Sequence, residues 1–101
     1  MFFIEPYLHN TDPQYRAKTI SELFVQTTGV DLPIIEGENN PSYHDYVNGG
    51  VYIIQGGCLD LPEGDSGILL VYPGQLKMFL PAGPTGHFWH ISGSSTSWGK
   101  V

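Results

Sequence analysis

The sequence predicts an α+β fold: one helix near the N-terminus packed on a curved, mainly antiparallel sheet of about five strands. Three observations carry this. Thirteen Gly and eight Pro in 101 residues call for many turns, which favours strands over helices. Only residues 13–27 set apolar side chains at helical spacing. The other apolar residues fall in short runs bounded by Gly, Pro or Asp. With 41% apolar and 14% charged residues, positions 1–101 read as a single compact domain rather than a disordered chain.

The elements follow in order. "FFIEPYLHN" reads as a strand that Pro6 restricts to an edge. "TDPQYRAKTISELFVQTTG" is the helix: Thr11 or Asp12 caps it, Pro13 suits its first position and Gly29 its stop. Ala17, Ile20 and Phe24, with Leu23, form its buried stripe, and Arg16, Lys18, Glu22 and Gln26 face out. "VDLPII" alternates like a strand. "EGENNPSYHDYVNGG" has no apolar period and reads as a long loop, the kind that is often functional. "GVYIIQGG" is a strand and "LDLPEGDSG" a turn. "ILLVY", apolar at every position, is a central strand covered on both faces. "PGQ" then turns into "LKMFL", which makes 67–80 a hairpin. "PAGPTG" is a loop and "HFWHIS" the last strand, followed by the polar tail "GSSTSWGKV".

Charge narrows the partners. The net charge is −6, and every carboxylate lies at or before Asp65. Seven acids and no Lys or Arg occupy Asp31–Asp65. Four basic residues in the whole chain argue against direct nucleic-acid or anionic-membrane binding. A basic protein partner fits the acidic middle third, with a small ligand as the other occupant. The oligomeric state stays open, a homodimer included. The N-terminus lacks the basic region and long apolar stretch of a secretion signal, so the expected location is cytoplasmic. A single cysteine, Cys58, excludes an internal disulfide and a cysteine-based metal cage. No phosphate-binding glycine loop is present, and no cofactor or metal is expected.

Two groups of residues bear chemistry. In "HFWHIS", strand alternation puts His87, Trp89 and Ile91 on one face and Phe88 and His90 on the other, so the two histidines cannot share a metal. The Ile91 face is expected in the core with His87 at its rim, and His90 is expected at the surface. In the loop, Glu36, Glu38, Asn39, Tyr43, His44, Asp45 and Tyr46 combine carboxylates, amides and amphipathic rings, as recognition loops do. These seven, with His90 and Trp98, form the expected binding set. The tail after Gly93 has no period that would bury Trp98, and core packing is the plain alternative for that ring.

Enzyme alternatives draw on four residues. Cys58 or Asp45 could act with His87 or His44 in a small hydrolase. "LPEGDSGILLVY" followed by "TGHFWHISG" resembles the later half of an NlpC/P60-type cysteine peptidase, over about a third of the chain. That resemblance implies a catalytic His at the start of the later strand, the position of His87. It also implies a nucleophilic cysteine heading an earlier helix, and residues 13–27 contain none. The favoured reading is therefore a small acidic non-enzymatic binding module, analogous in size and charge to inhibitors, immunity proteins and phage or plasmid accessory proteins.

Overall fold

A computed structural model describes residues 11–83, 87–92 and 97–100. The expected strand over "FFIEPYLHN" lies outside the described residues, as do 84–86 of the "PAGPTG" loop and 93–96 of the tail.

Helix α1 spans Pro13–Thr28, and its ends follow the sequence signals. The Asp12 carboxylate accepts from the Gln14 amide at 3.1 Å, and Pro13 occupies the first turn, where its missing N–H leaves nothing unpaired. Gly29 closes the helix at φ 76°, a conformation that only glycine adopts cheaply, and its amide donates to Val25 O at 2.8 Å. The Thr28 hydroxyl donates to Phe24 O at 2.7 Å, so the β-branched close is held by its own side chain.

Six strands follow: β1 (Ile34–Glu36), β2 (Gly50–Ile54), β3 (Gly67–Tyr72), β4 (Leu76–Pro81), β5 (Trp89–Ser92) and β6 (Gly99–Lys100). They form one open sheet in sequence order, antiparallel except for the parallel pair β1–β2. The predicted hairpin is β3–β4, joined by Pro73–Gln75, where the Gln75 amide donates to Tyr72 O. The tail adds a strand the sequence did not announce. Gly99 and Lys100 pair with His90 and Trp89, which brings the strands among the described residues to six.

Strand alternation sorts the sheet into two apolar faces. Val51, Ile53, Ile68, Leu70, Met78 and Leu80 point at α1 and pack with Ala17, Ile20, Phe24 and Phe88. Tyr52, Ile54, Leu69, Val71, Phe79 and Ile91 point the other way and pack with Tyr43, Tyr46, Cys58 and Leu61. The parallel β1–β2 pair explains the second cover. Parallel neighbours need a crossover, so the 37–49 connection must return across a face of the sheet. With α1 on one face, it returns across the other.

One helix residue departs from expectation. Arg16, predicted to face out, is 2% exposed. Its guanidinium donates to Pro81 O at 3.1 Å and to Gly83 O at 2.9 Å, tying α1 to the end of β4. Burial lowers its pKa, but a guanidinium stays charged in this setting. The expected outward face is kept by Lys18, Glu22 and Gln26.

Arg16→Ala leaves two carbonyls short of donors and is expected to cost about 1.5–3 kcal/mol in chemical denaturation. Lys18→Ala, two residues on, is expected to change stability by less than about 0.5 kcal/mol. Gly67 sits at φ 149°, where a Cβ would lie 2.2 Å from Leu80 O. Gly67→Ala should therefore destabilise by at least about 1–3 kcal/mol in the same melts.

Candidate functional site

The 36–49 loop is a built layer rather than a free excursion. Pro41 O accepts from the Leu59 amide at 3.0 Å, joining the loop to the 55–66 connection. Ser42 caps a short 3-10 turn, Tyr43–Asp45, and its hydroxyl accepts from the His44 amide at 3.2 Å. Asp60 holds the same turn from below. Its carboxylate accepts from the Ser42 hydroxyl at 2.5 Å, the Tyr43 amide at 2.9 Å and the Cys58 thiol at 3.7 Å. Burial pushes the Asp60 carboxyl up, but the bonds from Ser42 and Tyr43 outweigh it and keep it below the usual range.

Two tyrosines expected at the binding surface are core residues: Tyr43 is 6% exposed and Tyr46 0%. The crossover lays their rings on the sheet, where Tyr46 meets Tyr52 edge-on at 4.9 Å and Tyr43 meets Trp98 at 5.0 Å. The Tyr46 hydroxyl accepts from the Asn40 amide and donates to Glu38 O, both at 3.1 Å. Lys77 donates to Tyr43 O at 2.8 Å with its ammonium 5.1 Å from the Tyr43 ring. Desolvation lowers the Lys77 pKa, while Asp60 and Asp45 act against that shift. These anchors leave Glu36, Glu38, Asn39, His44 and Asp45 exposed, together with Val47 at 66%. Among the described residues no ion pair neutralises Glu36, Glu38 or Asp45.

A cleft of about 240 Å³ opens beside this layer, between the loop and the β3–β4 turn. Tyr43, His44, Val47, Tyr72, Gln75 and Lys77 line it.

The hydrolase residues do not assemble. His44 stacks on Tyr43 with centroids 4.1 Å apart, and no hydrogen bond joins it to Asp45. Cys58 is fully buried, and among the described residues its thiol's hydrogen-bond partner is Asp60. Burial, with the neighbouring Asp60 charge, pushes the thiol up to about 11, the opposite of an activated nucleophile. His87 meets Glu63 and Trp89, and Trp89 packs on the cluster of the sheet face away from α1, the one long helix among the described residues.

His87 has a different partner, which the sequence did not reveal. Glu63, at φ 59° in the 61–66 turn, accepts from the His87 amide at 3.0 Å and from the Trp89 indole at 2.6 Å. Its oxygens also lie 3.1 Å from His87 Nδ1. The amide and indole bonds, then the ring contact, hold the Glu63 carboxyl at about 2. The side chain of His87 is 54% exposed, at the rim as expected.

His90 and Trp98 are both half-covered rather than free. Among the described residues, His90 Nδ1 and Trp98 Nε1 are buried without a hydrogen-bond partner. Trp98 packs with Tyr43 and Phe79 in the second core because β6 pins the tail to β5. No group of three or more His, Cys, Asp or Glu among the described residues is placed to hold a metal ion. No helix among them is long and apolar enough to cross a membrane.

Comparison with protein-family models, with curated proteins and with solved structures finds no match to this chain.

Glu63 carries a depressed carboxyl, so its contribution is present above about 4.5, the ordinary value, and is lost as pH falls towards about 2. Melting temperature should fall across that window in the wild type, and Glu63→Gln should flatten the fall. For Cys58, alkylation near pH 8 is expected to be slower than for an unfolded control by at least about tenfold. Fast labelling of the folded protein would mean that the thiol is reachable and ionised.

Proposed function

We propose that this protein is a small acidic non-enzymatic binding module of the inhibitor or immunity type, acting on a basic protein partner. The observation that carries the reading is the 36–49 loop. Its tyrosines are buried as anchors, and its carboxylates are left exposed, with no ion-pair partner among the described residues. A loop fixed before binding loses little entropy on docking, and unpaired acids attract a basic surface without first breaking internal ion pairs. Recognition then rests on Glu36, Glu38, Asn39, His44 and Asp45, with Val47 as the apolar contact. Tyr43, Tyr46 and Trp98 act as supports beneath them. The neighbouring cleft can take one side chain of the partner or a small ligand in its place.

A hydrolase reading draws on one observation, the carboxylate of Glu63 against His87 Nδ1, which leaves the other ring nitrogen for proton transfer. A buried thiol at about 11 supplies it with no nucleophile.

The test is affinity capture from host lysate on immobilised protein, eluted with rising salt. A basic partner should elute as ionic strength goes from about 0.1 M to about 1 M, where the screening length falls from about 10 Å to about 3 Å. Triple reversal Glu36→Lys/Glu38→Lys/Asp45→Lys should lower capture at least about tenfold with the melting temperature unchanged. His87→Ala should leave capture intact. Salt-independent capture that survives the triple reversal would contradict the proposal.

A further inference from the structure

We infer that the partner docks as an extended basic segment that adds a strand to the open edge of β1. This rests on the binding-module reading and names its mode of docking. The Val51 amide donates to Pro33 O at 2.8 Å, and Ile34 lies opposite Val51 in the parallel ladder. In such a ladder alternate residues bond to alternate sides. Pro33 and Ile35 serve β2, so the N–H and C=O of Ile34 and Glu36 point outward. Among the described residues no hydrogen bond reaches those outward groups, and β1 stands at the end of their sheet order.

An unpaired edge is a template for another strand, and proteins commonly block it with lysine, proline or a cover. The far edge, β6, carries Lys100. The β1 edge carries no basic residue. It is flanked by exposed acids, Asp31 before it and Glu38 after it, with Glu36 on the strand itself. Ile34, 40% exposed, adds an apolar contact beside Glu36. Main-chain pairing would supply affinity and the flanking acids would select basic side chains. A second copy is a poor occupant, because edge-to-edge pairing brings the same acids against one another. Two outward residues allow only a few ladder bonds, so the contact is short and depends on charge.

The test uses the full chain, ¹⁵N-labelled, titrated with the capped peptide acetyl-Lys-Val-Lys-Val-Lys-amide and observed by NMR. Two analogues carry N-methyl groups, one on the valine amides and one on the lysine amides. Strand addition requires one set of amides to face the edge and the other to face solvent. One analogue should therefore bind at least about tenfold more weakly, the other within about threefold of the parent, with shifts centred on residues 34–36 and 51–53. Glu36→Lys/Glu38→Lys should weaken the parent peptide at least about tenfold, and a Glu-Val-Glu-Val-Glu peptide should not bind. Equal binding of both analogues, or no binding of the parent, overturns the inference. Shifts confined to the Asp45 side would overturn strand addition while leaving the acidic-surface reading intact.

Discussion

β3 is apolar on both faces, and that single constraint organises the molecule. Ile68 and Leu70 point one way, Leu69 and Val71 the other, and all four are at most 2% exposed. A sheet of this kind needs two covers, and the described residues contain one long helix. The second cover has to come from a connection. The parallel β1–β2 pair provides it, because the chain between those strands must cross the sheet to re-enter in the same direction. A connection rich in backbone polar groups makes a poor apolar lid unless large side chains do the covering and polar groups tie it down. Tyr43 and Tyr46 do the first. Asp60, Lys77 and the Tyr46 hydroxyl do the second.

The same arrangement sets which loop groups are left exposed. Once the tyrosines are spent on the sheet, the loop's outer side holds carboxylates, an amide and an imidazole at fixed positions. Asp45 and Asp60 are both acids of one short region, yet they do different work. Asp60 accepts from three donors and acts as a tie, while Asp45 has no ion-pair partner among the described residues. Cys58 belongs to the tie as well, and its thiol is held neutral by burial beside that carboxylate. Of the groups that look reactive in sequence, Cys58 is buried in the tie, while His44, Asp45 and His87 stay exposed.

Local signals were legible in the sequence, and long-range ones were not. The Asp12 cap, Pro13, the Ala17–Ile20–Phe24 stripe and Gly29 specify α1 within a few residues of one another. The all-apolar "ILLVY" and the "PGQ" turn likewise specify β3 and the hairpin. The burial of Tyr43 and Tyr46 is not legible locally, because a recognition loop and an aromatic lid share one composition and only the β1–β2 pairing separates them. Arg16 finds its acceptors at Pro81 and Gly83, far along the chain, so nothing near it marks it as buried. Glu63 lies in a turn whose sequence gives no hint of His87 and Trp89 opposite. The packing of Trp98 is not legible because two residues of strand, Gly99 and Lys100, are too short to show a period.

The central claim is that Asp60 and the two tyrosines turn the 36–49 loop into a fixed second cover. Amide hydrogen exchange of the wild type and of Asp60→Ala tests it most directly. In the wild type, the amides of Asn40, Tyr43, Asp45 and Tyr46 should be protected, since each donates to a defined acceptor. Asp60→Ala should speed their exchange at least about tenfold while β3 and β4 amides keep their protection, because local opening then needs less free energy than global unfolding. Loop amides that exchange at unprotected rates in the wild type, or that stay protected without Asp60, would contradict the account.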